Sequence, residues 1–215
     1  MKKQKDIFLE GEGDAWCHRN VAPERPLLVD RKLKELLTEV SPSNVLEVGC
    51  GSCYRLNFLS QSFPECSFYG IDPSLDAKNY GNSSLTLTQG TADDLPYESG
   101  KFDVVVFGFC LYLCDVEDYF KIAYEADRVL ADGGFLVIID FEPPFPYQNP
   151  YSHKDGIYST KVSFRSMFEW HPSFSLVSLT PFSHRMEAYD AEPNERVSIS
   201  VLHKKHALNM PIAPF

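Results

Sequence analysis

The chain has 215 residues, enough for one well-cored domain and short for two. With 44% hydrophobic and 23% charged residues its composition is that of a globular protein, which excludes wholesale disorder. A formal net charge of −10 disfavours a polyanionic partner, because phosphate backbones are captured by basic faces, so no nucleic-acid partner is expected.

The first residues, MKKQKDIFLEGEGDAW, carry basic groups but no apolar stretch of signal-peptide length. The longest apolar run, residues 104–114, is far below the ~20 residues of a bilayer span. A cytoplasmic protein without a membrane partner is therefore expected. The six cysteines need no disulfides in a reducing compartment. No His/Cys set completes four ligands at usual spacing, so no metal is expected.

In chain order, residues 24–40 place Leu27, Leu28, Leu33, Leu36, Leu37 and Val40 on a helical stripe, which SPSN stops. An alternation follows: strand 45–48, helix 54–62, strands 67–72, 85–89 and 102–109, helix 116–130, then ADGG and strand 135–140. Residues 141–160 are rich in proline and tyrosine and lack periodicity, which predicts an ordered lid or pocket wall. A short helix is predicted within 163–170, and strands over 174–182 and 196–204. The connection between those last two is too short for a parallel crossover, so the final strand is predicted antiparallel. The expected fold is α/β, a single Rossmann-like doubly wound sheet of seven strands, mostly parallel, with helices on both faces.

Strand 45–48 delivers the chain to Gly49 and Gly51, and a helix begins just after. Glycines here let a ligand pack against bare backbone, beside the free N–H groups of a helix start. Asp72 ends the next strand, where an acid reaches a ribose diol in nucleotide-binding α/β folds. In a hydride-transfer enzyme the fingerprint is G-x-G-x-x-G/A, but Tyr54 fills the sixth position here. Glu47, two residues before the first glycine, would repel a pyrophosphate and attract an ammonium. That points to a ligand joining a nucleoside to an amino acid.

The segments VLEVGCGSC, GIDPS, GTADDLPY, FDVVVFGFCLYL and RVLADGGFLVIIDF resemble, in order and spacing, the successive motifs of class I S-adenosylmethionine-dependent methyltransferases. The resemblance covers about residues 44–142. It implies methyl transfer from S-adenosyl-L-methionine, with S-adenosyl-L-homocysteine as product. It assigns Glu47, Gly49 and Gly51 to the methionine part, Asp72 to the ribose, and Ala92 with Thr91 or Asp93 to adenine. Phe107 and Gly108 would contact the sulfonium end through backbone. Cys53 stands where a third glycine is common, which the turn tolerates at negative φ. The flanks 8–20 and 151–172 resemble, less specifically, small methyltransferases of bacterial sugar and surface-polysaccharide biosynthesis, implying a sugar or nucleotide-sugar acceptor.

The resemblance makes 1–215 one methyltransferase domain: an N-terminal cap segment and helix (1–40), a cofactor core (44–142), an acceptor-side loop and helix (141–170) and two final strands (174–205). Segments 8–20, 109–113 and 141–160 should surround the methyl group. There Trp16 is expected to close over the cofactor and Arg19 to pair with its carboxylate. Tyr112 and His153 are the candidate catalytic residues, His153 as base if the acceptor needs one. Asp140 fits a strand-end residue tied to backbone, and Asp127 and Arg128 a solvated helix face. A cofactor-binding sensor or partner subunit, a nicotinamide-dependent oxidoreductase and an RNA methyltransferase stay open as alternatives, as do monomer and homodimer.

Overall fold

The structure is a computed structural model and describes residues 2–20, 26–185, 188, 189 and 191–205. Three short helical pieces open the chain: α1 (Gln4–Ile7), a π turn (Phe8–Glu12) and α2 (Gly13–Arg19). Then α3 (Leu28–Val40) buries Val29, Leu33 and Leu37. Each such side chain is worth ~1.5–3 kcal/mol of burial. Residues 24 and 25, expected to start this helix, lie outside the described residues.

The main sheet contains β1 (Asn44–Val48), β2 (Ser67–Asp72), β3 (Leu85–Gln89), β4 (Phe102–Gly108), β5 (Leu130–Phe141), β8 (Phe174–Ser183) and β9 (Arg196–Lys204), in the order β3-β2-β1-β4-β5-β9-β8. The pairs from β3 through β5 are parallel, and β9 runs antiparallel to both β5 and β8. This is the predicted seven-stranded sheet with its last strand reversed. Helices α3 and α4 (Tyr54–Ser62) pack on one apolar cluster of the sheet. The α5 (Tyr119–Val129) and α6 (Ser166–Glu169) helices pack on the other.

Three segments depart from expectation. Helix α5 begins at Tyr119, after a 3-10 turn at Val116–Asp118, and Leu130 already belongs to β5. The ADGG segment is absorbed into that strand as an irregularity opposite Phe102–Val104, with Gly133 at φ +81°. The aperiodic stretch 141–160 contains an antiparallel ribbon, β6 (Tyr147–Pro150) on β7 (Tyr158–Lys161). Pro150 is tolerated there because the ribbon ends on it. Arg128 is not solvated: its guanidinium donates to the carbonyls of Tyr97 and Leu95 and to Glu125, clamping the loop before β4.

Candidate active site

The sheet order reverses between β1 and β4, and ligands of open α/β sheets bind at the carboxyl ends of strands flanking such a reversal. A cavity opens there. Val48 and Gly49 leave β1 into it, Asp72 ends β2 beside it, and Thr91, Ala92 and Asp93 follow β3 along its wall. Phe109 and Cys110 follow β4, and Lys5, Phe8 and Trp16 of the N-terminal helices roof it.

The glycine turn is shaped by what presses on it. Gly49 has φ +75°, and a Cβ there would overlap the Cys110 side chain. Gly51 has φ +49°, and a Cβ would lie 2.8 Å from Cζ3 of the Trp16 indole. Both side chains are absent because a neighbour occupies their space and because the left-handed backbone disfavours them. Cys53, expected to need a negative φ, adopts +57°. It is fully buried, its sulfur 3.6 Å from the Gly51 and Ala77 carbonyls, so packing sustains a conformation costing ~1–2 kcal/mol.

Asp72 holds this turn shut. One oxygen accepts the Gly51 N–H at 2.8 Å and the other the Ser74 N–H at 2.9 Å. Burial pushes its carboxyl above the usual range, against those two donors. Each oxygen still has an acceptor direction free, which suits a vicinal diol. Asp93 accepts from Thr91 Oγ1 at 2.8 Å and from Lys5 Nζ at 2.5 Å, and Lys5 also reaches Asp118 at 3.0 Å. Burial would raise Asp93, but the lysine and threonine bonds outweigh it and hold the carboxyl down at about 2.

Glu47 lies behind the turn. It forms a buried ion pair with Arg55, whose Nε bonds Asp30 at 2.7 Å; Asp30 in turn accepts the Leu27 N–H at 2.7 Å. Glu47, Arg55 and Asp30 are each at most 4% exposed. The second carboxylate oxygen of Glu47 is buried and has no partner. Gly108 faces this group, where a Cβ would collide with Arg55 and Glu47.

Of the residues singled out from sequence, Gly49, Asp72, Thr91, Ala92, Asp93 and Trp16 line the cavity. Phe107 points into the core below it, and the wall at that corner is Phe109, at φ +57°, with Cys110. Arg19 is engaged by Glu12 at 2.5 Å and by Tyr151 at 2.9 Å. Tyr112 packs edge-on against Phe141, and burial raises its phenol. His153 is exposed, edge-on to Tyr151. Asp140 is tied to backbone, accepting the Leu111 and Phe141 N–H groups. Sequence reasoning missed Lys5, whose partners lie about 90 and 110 positions away and leave no local signal.

A doubly wound sheet in this order, with a glycine turn after β1 and an acid ending β2, is the arrangement that the resemblance to class I S-adenosylmethionine-dependent methyltransferases implies. Residues 46–138 match the family model described as a methyltransferase domain. A fatty-acid O-methyltransferase of Mycolicibacterium smegmatis is 31% identical over 50% of this chain and 40% of its own length. A demethylmenaquinone methyltransferase of Listeria monocytogenes is 31% identical over 53% of this chain and 51% of its own. The chain thus spans about half the length of these curated relatives or less. Among solved structures, 1,6-didemethyltoxoflavin-N1-methyltransferase of Burkholderia thailandensis superposes over 94% of this chain and 87% of that one. Its TM-score is 0.67 at 14% identity. That protein was crystallised with S-adenosylhomocysteine, and S-adenosylmethionine is the cofactor of this class.

Among the described residues no helix is long and apolar enough to cross a membrane, and no group of three metal-binding side chains is present.

Proposed function

We propose that the chain transfers a methyl group from S-adenosylmethionine to a small acceptor with a predominantly apolar body. One observation carries this reading: Asp72, Asp93 and the bare backbone at Gly49 converge on one cavity at the sheet's switch point. The cavity fits the cofactor's parts by chemistry. Asp72 has acceptor capacity for the ribose diol, and Thr91 to Asp93 with Ile122 provide a slot with one acid for adenine. Gly49, Cys110 and Trp16 face the remainder. The orphaned oxygen of Glu47 is a buried acceptor that suits an ammonium, reached through water or backbone adjustment.

Bound there, the cofactor supplies a methyl carbon on a sulfonium, which already carries the driving force for transfer. The protein's part is to hold and orient. Phe8, Trp16 and Phe109 exclude water, and Asp72 fixes the turn on which alignment depends. Neither Tyr112 nor His153 is among the residues lining the cavity, which favours an acceptor needing no strong base. Phe8, Trp16 and Phe109 make the rim of the cavity aromatic, which supports an apolar acceptor. The three relatives above are named for a fatty acid, a demethylmenaquinone and a didemethyltoxoflavin. The sugar acceptor implied by the flanks draws no support from them.

The test is production of S-adenosylhomocysteine dependent on an added acceptor, across a panel of quinols, fatty acids, N-heterocycles and nucleotide sugars. Turnover with an apolar member is expected. Turnover with nucleotide sugars alone would overturn the acceptor reading, and cofactor binding without turnover on any member would favour a sensor.

A further inference from the structure

Beside the cofactor cavity, and sharing Phe109 with it as a wall, lies a second cluster. The Phe109 ring meets Phe141 edge-on at 6.4 Å and the His184 imidazole at 5.5 Å. Over the other part of Phe141, 3.8 Å from its ring centroid, stands the ammonium of Lys161, the last residue of β7. Lys161 is only 7% exposed.

A lysine this buried normally has a carboxylate beside it, because an uncompensated interior charge is costly. Here the ammonium finds only long contacts: the Asn194 carbonyl at 3.3 Å, the Asn194 side-chain oxygen at 3.4 Å, and the ring. Among the described residues no carboxylate lies within ion-pair distance of it. The acids nearby are committed elsewhere. Asp140 accepts two backbone N–H groups, Glu142 pairs with Arg165, and Glu195 pairs with Arg185 at 3.0 Å through one oxygen, its other oxygen lying buried without a partner and beyond ion-pair distance of Lys161. Burial lowers the Lys161 pKa, while Glu195 and Asp140 at longer range oppose that. Desolvation against the rings shifts His184 down as well.

We propose that Lys161, with Phe141, Phe109 and His184, forms the acceptor subsite and selects acceptors that carry an anionic oxygen on a flat apolar body. This rests on the methyltransferase reading and narrows it. The rings supply stacking and edge contacts for the flat body, and Lys161 supplies the missing counter-charge. The chemistry is consistent with the absence of a lining base. An anionic oxygen bonds to the methyl carbon as the carbon–sulfur bond breaks, and that bonding pair stays on sulfur. The negative and sulfonium charges cancel, so no proton has to leave.

The experiment measures binding of three probes to the protein saturated with S-adenosylhomocysteine, by calorimetry at mildly alkaline pH: 2-naphthoate, 4-nitrophenolate and the uncharged 2-naphthamide. At least one anion should bind roughly tenfold or more tighter than the amide, the ratio of the two anions separating carboxylate from phenolate selectivity. Lys161→Gln should abolish the preference and Lys161→Arg should retain part of it, both with S-adenosylhomocysteine affinity within about twofold of wild type. Equal binding of anions and amide by the wild-type protein, including no binding of either, would overturn the proposal whether or not the variants fold. So would a preference that survives in Lys161→Gln. Failure of S-adenosylhomocysteine itself to bind would instead sink the methyltransferase reading beneath it.

Discussion

Replacing Arg55 with methionine tests why Glu47 stands behind the glycine turn. The side chains of Arg55, Glu47 and Asp30 are all at most 4% exposed, and the guanidinium is the cation between the two acids. Methionine keeps much of the volume but leaves two buried carboxylates facing a gap. Removing one partner of a buried pair costs ~3–5 kcal/mol, and that is the expected loss near pH 8. The loss depends on pH in a definite direction. Burial raises the Glu47 carboxyl to about 7, and Arg55 works against that rise. A carboxyl raised in the folded state binds its proton more tightly there, so its contribution is present at low pH and is lost as pH rises through about 7. Without Arg55 the folded pKa rises further. The deficit of the variant should therefore shrink on acidification, by at most ~1.4 kcal/mol per pH unit. Urea unfolding of wild type and variant from mildly acidic to mildly alkaline pH gives the numbers. The double variant Glu47→Gln/Arg55→Met should recover much of the loss at alkaline pH. A single variant within 1 kcal/mol of wild type at alkaline pH, by the same cycle, or a double variant no better than the single, refutes Arg55 as the buried counter-charge of Glu47.

Three further outcomes follow from the site. Lys5→Gln unpins the first helix from Asp93 and Asp118, so S-adenosylhomocysteine should dissociate about fivefold faster in stopped-flow displacement, the worth of an ion pair near ~1 kcal/mol. An unchanged off-rate would make Lys5 a bystander. Gly51→Ala introduces a Cβ 2.8 Å from the Trp16 ring at φ +49°, so affinity should fall roughly tenfold and Trp16 fluorescence should shift. Unaltered affinity and emission would mean the indole does not close on the turn. His153→Ala should leave turnover within about twofold, since the imidazole stands exposed. A loss of a hundredfold, the usual cost of removing a general base, would restore it to catalysis.

The cofactor half was legible because its signals are local. Gly49 and Gly51 mark a turn within three residues, and strands β1 and β4 are short and rich in branched apolar residues. Asp72 follows at the spacing one βαβ unit imposes. What escaped depends on pairings across the fold. Arg55 sits in an ordinary helix pattern, and only the tertiary arrangement brings Asp30 and Glu47 to it. Arg19 carries the right charge for a carboxylate, yet Glu12 and Tyr151 claim it first. The β6–β7 ribbon showed no alternation, because its residues Tyr147 to Pro150 include a proline and pair only with one short neighbour. Lys161, the residue assigned here to acceptor choice, lies in that same stretch.

Crystals soaked with S-adenosylhomocysteine address the whole account at once. The ribose hydroxyls should lie within hydrogen-bond reach of Asp72, the adenine between Ala92 and Ile122, and the amino-acid end against Gly49 beneath Trp16. Density for that molecule anywhere else, or a cavity still empty at saturating concentration, would contradict the assignment of this site to methyl transfer.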